Sequence, residues 1–131
     1  MTPFELLEAL LSRYIKEIMS RESVNTNTIH LYNTGDYWVS FEKSAYMLQR
    51  LSSDVDTATI NHPAYPFPII MSTVAESELT KKCVSLSYKN KQSGYVAIPT
   101  SEITLSQYTK WHKNEIEDLV EEEELTGVIG S

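Results

Sequence analysis

The chain has 131 residues, of which 41% are hydrophobic and 22% charged, the size and composition of a single globular domain. This balance excludes disordered, collagen-like and disulfide-scaffold proteins, and with one cysteine no intrachain disulfide can form. No apolar run approaches the ~18 residues of a membrane span, and the N-terminal segment does not resemble an export signal, so we expect a cytoplasmic protein that does not enter a membrane.

The net charge of −7 comes from one segment near the C-terminus. Residues 115–124 hold seven acidic residues and no basic one, and the rest of the chain carries 11 acidic and 11 basic residues. Nucleic-acid-binding proteins usually carry a basic surface, and the overall composition has no excess of basic residues that would indicate one. Local clusters stay possible, and the candidates are Lys81, Lys82, Lys89 and Lys91.

Hydrophobic spacing and turn residues predict four helices and six strands. The predicted helices are residues 2–21, 42–51, 74–82 and 105–125. The predicted strands are residues 29–32, 36–41, 57–60 and 67–71 and the two strands of a hairpin within 83–98. Thr2 and Thr73 are the predicted N-caps of the first and third helices. This order predicts an α/β domain, an α+β mixed sheet with flanking helices, over residues 1–104. A C-terminal acidic helix with a frayed tail follows over residues 105–131.

The residue types that carry catalysis are not arranged in any recognisable pattern. The three histidines are far apart, and only His112 has a carboxylate one helical turn away, at Glu115. The lone Cys83 is expected to be a buried structural thiol. Phosphate-binding and nucleophile-elbow motifs are absent. We therefore expect that the protein is not an enzyme and that it has no catalytic residue, metal or cofactor. A third alternative stays open, an enzyme whose pocket brings together polar groups that are distant in the sequence.

An aromatic segment follows a predicted turn at Gly35. In a strand, alternation directs Tyr37 and Phe41 to one face and Trp38 to the other. An aromatic side chain held at the start of a strand can stack on a nucleic-acid base or wedge into a base step. The competing interpretation is that both faces of the strand are covered and these aromatics are core residues.

This segment carries a family resemblance. Residues 34–45, Thr-Gly-Asp-Tyr-Trp-Val-Ser-Phe-Glu-Lys-Ser-Ala, resemble the G-D-F-Y-E-x-F-x-x-D-A signature of the N-terminal mismatch-recognition domain of MutS proteins. Residues 66–71 are similar to the P-I-P-M strand of that domain, and residues 94–98 to its G-x-x-V-A-I strand. The similarity covers roughly residues 5–98 in order, and it implies the fold of that domain.

The resemblance also implies roles for single residues. Tyr37 takes the position of the aromatic wedge beside a mispaired base, and Trp38 takes the next aromatic position. Val39 stands where the family has a glutamate, and it cannot form a side-chain hydrogen bond. The expected nucleic-acid-binding residues are Tyr37, Trp38, Lys81 and Lys82. The motif residues with expected structural roles are Gly35, Asp36, Phe41 and Ala45.

Two functions follow from this pattern. The first is a non-enzymatic accessory module that binds DNA weakly through its aromatic strand. It predicts that Tyr37 or Trp38 is exposed beside a lysine or arginine. The alternative is a protein–protein interaction module that kept the fold and lost DNA binding, which would be favoured if both aromatics were fully buried. The protein partner and the oligomeric state are not specified by the sequence.

Overall fold

A computed structural model describes residues 2–52, 55–82 and 94–130, with side chains of the last helix described as far as Asp118. The helices are α1 (Pro3–Ser23), α2 (Glu42–Leu51), α3 (Glu76–Lys82) and α4 (Leu105–Gly130). The strands are β1 (Thr28–Asn33), β2 (Tyr37–Phe41), β3 (Asp56–Ile60), β4 (Ile69–Ala75) and β5 (Tyr95–Pro99). This is the predicted combination of a sheet with flanking helices. None of the described helices is both long and apolar enough to cross a membrane.

The five described strands form one sheet in the order β3-β4-β2-β1-β5. Every described pairing is antiparallel, which corrects the prediction of a mixed sheet. The central strand β2 pairs with β1 on one side and with β4 on the other, so neither of its edges is open. Of the predicted hairpin in residues 83–98, β5 is the second strand, and residues 83–93 lie outside the described part.

Helices cover both faces of the sheet, because the strands of its centre are apolar on both sides. Helix α1 packs on one face through Ile15 and Ile18 against Val39 and Phe41. The opposite face holds Trp38 among side chains of α2, α3 and the segment that leads into α4: Met47, Leu48, Leu79 and Ile103. The start of the chain follows the predicted cap, since the Thr2 hydroxyl accepts the N–H of Glu5 at 3.2 Å.

Two predicted boundaries around β4 were wrong. Thr73 is not a helix cap, because β4 continues to Ala75 and Thr73 pairs with Val39 of β2. Phe67 does not belong to the buried strand, which begins at Ile69, and its side chain is 48% exposed. Cross-strand pairing with β2 thus outweighs the helix-start signal of Thr73 and Glu76.

Candidate functional site

The turn before β2 is built as its residue types require. Gly35 adopts a φ of +90°, a left-handed conformation that costs glycine little. Its N–H donates to Oδ1 of Asn33 at 2.9 Å, and the Asn33 amide donates back to the Gly35 carbonyl at 3.1 Å. The N–H of Thr34 closes the turn on the Tyr37 carbonyl at 2.8 Å. The main chain at Tyr37 is therefore held at a defined place at the end of the sheet.

The two aromatics of the segment have opposite environments. The Tyr37 side chain is 44% exposed, and that of Trp38 is 1% exposed. The indole N–H of Trp38 donates to Oε2 of Glu76 at 2.9 Å, which fixes the ring in the core. Of the two predicted base-facing aromatics, the structure places Tyr37 at the surface and Trp38 in the interior.

The motif residues behind Tyr37 serve packing and turn geometry. Phe41 and Ala45 are fully buried, and Val39 is 2% exposed. Asp36 is exposed, and its carbonyl accepts the N–H of Glu76 at 2.9 Å, which connects the turn to the start of α3. Val39, which the resemblance placed at a base-recognising position, lies inside the core under α1.

The predicted basic residues are only partly placed. Lys81 is exposed on α3 and lies 3.4 Å from Glu78 in a surface ion pair, which is worth little in water. The Lys82 side chain lies outside the described part. Among the described side chains, the cations that lie over aromatic rings are Arg21, Lys43 and Arg50, and none of them lies over Tyr37. No lysine or arginine among the described side chains therefore stacks on the exposed Tyr37 ring.

A buried polar cluster joins the end of α1 to the start of α2. The Glu22 carboxylate accepts the main-chain N–H of Ser44 at 2.8 Å and its hydroxyl at 2.6 Å. The Asn25 amide donates to the Thr28 carbonyl at 2.6 Å. Burial is the main reason why the pKa of Glu22 is raised from 4.5 to about 7. Glu22 therefore supplies the side-chain cap that α2 lacks at Phe41.

Glu42, the first residue of α2, connects the body to α4. It is buried and has a φ of +50°, which is unfavourable for a residue with a Cβ. Its Oε2 lies 3.0 Å from Nε2 of His112 and accepts the N–H of Ile70 at 3.3 Å. Burial, and then the negative charge of Glu42, raise the pKa of Tyr108. His112 thus faces Glu42 rather than the predicted Glu115.

A third group of polar residues, which the sequence did not suggest, lies at a cavity between α1 and the sheet that Arg21, Tyr32 and Tyr95 line. Arg21 donates from Nη1 to the Tyr32 hydroxyl at 2.8 Å, and its guanidinium carbon lies 5.0 Å from the centre of the Tyr95 ring. His30 Nδ1 lies 2.6 Å from the Tyr95 hydroxyl, and burial, followed by the charge of Arg21, lowers the pKa of His30 to about 4. Arg21 and Tyr95 are far apart in the sequence, so no local spacing could have linked them.

The described residues hold no group of three or more histidine, cysteine, aspartate or glutamate side chains arranged to bind a metal ion. The buried carboxylates Glu22 and Glu42 instead bind main-chain N–H groups and neighbouring side chains. Comparisons with protein-family models, curated proteins and solved structures found no match to this chain.

Proposed function

We propose that this protein is a non-enzymatic accessory domain that binds nucleic acid weakly and presents Tyr37 to a base. The observation that carries the proposal is the contrast between two neighbouring side chains. Tyr37 is exposed, whereas Trp38 beside it is buried and hydrogen-bonded to Glu76. An exposed aromatic ring on a strand anchored in this way needs little reordering on binding, which limits the entropy cost of a stacking contact.

The resemblance to the MutS mismatch-recognition domain supports this proposal, since Tyr37 falls on the wedge position. In the proposed arrangement, residues 1–104 correspond to that domain, and residues 105–131 are an added acidic helix with its tail. Stacking is worth about 1–3 kcal/mol per base. Phosphate contacts usually supply most of the affinity for DNA, and the neutral body offers few of them, so binding should be weak and sensitive to salt.

Fluorescence anisotropy with labelled single-stranded, paired and mismatched DNA at low and moderate salt tests the proposal. Tyr37→Ala should weaken binding by roughly fivefold to a hundredfold, the loss of one stacking contact. Phe67→Ala is the matched control, because its ring is exposed to a similar extent, at 48% against 44%. The proposal fails if the wild-type protein binds no DNA at low salt. It also fails if Tyr37→Ala and Phe67→Ala both bind DNA with the affinity of the wild-type protein.

The second candidate function is a protein–protein interaction module. It is favoured by the acidic groups near the exposed ring, because Asp36 precedes Tyr37 and α3 begins with two glutamates in its first turn. Val39 is also buried where a base-recognising glutamate would be needed. Under this alternative the wild-type protein binds no DNA at low salt. In an affinity capture, the Tyr37→Ala variant should lose a protein partner that the Phe67→Ala variant still binds.

A further inference from the structure

A cavity of about 250 Å³ lies between α1 and the end of the sheet where β1 and β5 meet. One wall belongs to a single side of α1, and the other is formed by two tyrosines of neighbouring strands. The side chains used below are Leu10, Tyr14, Glu17, Arg21, Tyr32 and Tyr95. Tyr37 does not line this cavity, so the site is separate from the proposed nucleic-acid contact.

Arg21 is positioned by the sheet rather than by its neighbour on the helix. Glu17 precedes it by four residues, a spacing at which opposite charges on a helix usually pair. Among the described residues, however, Arg21 forms no salt bridge, and its one hydrogen bond goes to the Tyr32 hydroxyl. Its guanidinium lies over the Tyr95 ring instead. A carboxylate and a guanidinium thus line the same cavity without forming a contact ion pair, although the charge of Glu17 is among the causes that raise the pKa of Arg21.

The rest of the cavity suits a flat apolar group. Tyr14 is 45% exposed at the cavity, and Leu10 lies one turn before it on the same side of α1. The Tyr95 ring is tilted at 41° to the Tyr32 ring, with the ring centres 5.6 Å apart. Because Arg21 already lies over the Tyr95 ring and Tyr32 is buried, Tyr14 is the aromatic side chain of this cavity that is exposed for a ligand ring. The charged pair and the aromatic walls therefore call for a ligand with both a zwitterionic and an aromatic part.

We propose that this cavity binds a free aromatic α-amino acid. Its carboxylate would pair with the guanidinium of Arg21, a geometry that allows two parallel hydrogen bonds. Its ammonium would pair with Glu17, and its ring would pack against Tyr14 and Leu10. The ammonium and carboxylate of an amino acid are both bonded to one Cα atom, so a small ligand can reach two side chains that are neighbours on one side of a helix.

The cavity is less suited to a nucleotide. A phosphate would bring about two negative charges to a place that offers Arg21 alone as a described cation and would bring them near Glu17. An aromatic acid without an amino group would leave Glu17 unpaired, and an aromatic amine would leave Arg21 unpaired. A nucleotide, an aromatic acid and an aromatic amine therefore serve as probes. They distinguish binding of the whole amino acid from attraction to one of its charges or to its ring alone.

The test is isothermal titration calorimetry on the full chain with L-phenylalanine, 3-phenylpropionate, phenethylamine and guanosine monophosphate. L-phenylalanine should saturate the protein below about 10 mM. The compounds that lack one charged group should bind at least roughly tenfold more weakly, because each loses a charge-assisted pair. Guanosine monophosphate should not compete with L-phenylalanine.

Glu17→Gln and Arg21→Lys should each weaken L-phenylalanine binding by roughly tenfold or more. Glu8→Gln, an exposed change on α1 outside the cavity, should leave it unchanged. If Arg21→Lys does not fold, Glu17→Gln still decides, because Glu17 is exposed. The proposal is overturned if L-phenylalanine does not saturate, if the truncated compounds bind equally well, if guanosine monophosphate binds in its place, or if Glu17→Gln has no effect.

Discussion

Glu22 caps the first turn of α2 from outside that helix, by accepting both the main-chain N–H and the hydroxyl of Ser44. The contact connects residues that are 22 positions apart and joins α1 to the helix that covers the opposite face of the sheet. Because the carboxyl is buried, its charge has a cost that the hydrogen bonds offset only in part. Folding stability should therefore depend on the protonation of this one group.

The first prediction concerns pH. The pKa of Glu22 is about 7 in the folded chain and near 4.5 when exposed, so the folded state holds the extra proton between these values. Its contribution to the free energy of unfolding is therefore full below about pH 4.5 and falls as pH rises to 7, by up to about 3 kcal/mol. Glu22→Gln should lose this decline and become more stable relative to wild type as pH increases.

Urea unfolding between about pH 5 and pH 8 measures this difference, with Glu8→Gln as an exposed control. The comparison with wild type is needed because His30 acts in the opposite direction. Its pKa is lowered to about 4, so its contribution to stability rises with pH from about 4 to 6.5 in both proteins. If the free energies of unfolding of wild type and Glu22→Gln changed with pH in parallel, the raised pKa of Glu22 would be contradicted.

The second prediction concerns the backbone at Glu42. Its φ of +50° is strained for any residue with a Cβ. Glu42→Ala and Glu42→Gly both remove the carboxylate that binds His112 and Ile70. The alanine variant keeps the backbone strain, whereas the glycine variant relieves it but loses more chain entropy on folding. Glu42→Gly should be the more stable of the two by about 1 kcal/mol. An alanine variant that is more stable by about 1 kcal/mol, the entropy cost of glycine alone, would show that this conformation carries no strain.

The third prediction separates the two aromatics of β2. Trp38→Phe loses the hydrogen bond to Glu76 and leaves a void in a closed core, which should cost roughly 2–3 kcal/mol. Tyr37→Ala removes a ring that is 44% exposed and should cost less than about 1 kcal/mol. Urea unfolding of both variants checks the order, and a larger loss for Tyr37→Ala would place that ring inside the core.

The fourth prediction concerns the attachment of α4. His112 contacts Glu42, while the indole N–H of Trp111 donates to Gln49 of α2. His112→Ala leaves a buried carboxylate with one partner fewer and should cost about 1–3 kcal/mol. In a Trp38→Phe background Trp111 is the one tryptophan left, so its fluorescence emission should shift to longer wavelength as α4 loosens. Lys110→Ala, an exposed change on the same helix, should leave both the emission and the stability unchanged.

Elements whose signals are local were predictable from the sequence. The predicted bounds of α2, residues 42–51, are those of the structure, and the cap at Thr2 is present. The bounds of β4 were predicted wrongly, because Thr73 followed by Glu76 also fits a helix start, and the pairing with β2 decides in favour of the strand. Local patterns report what a segment can form, and partners that are distant in the sequence decide what it does form.

The candidate sites show the same division. Alternation places Tyr37 and Trp38 on opposite faces, but only the helices that pack on each face determine which ring is covered. The contacts of Glu22 with Ser44 and of Arg21 with Tyr95 depend on the way α1 crosses the sheet. Nothing in the spacing of these residues indicates that they meet.

The position of β1 between β2 and β5 has a consequence for folding. Tyr32 pairs with Val39, which follows it by seven residues in the sequence, and with Tyr95, which is much farther along the chain. The first pairing needs only a short turn, whereas the second must close a loop of about sixty residues, which has a larger entropy cost. The β1–β2 hairpin should therefore form early, and β5 should join last. Local opening of the native protein should begin at β5, with amide hydrogens there exchanging before those of β2.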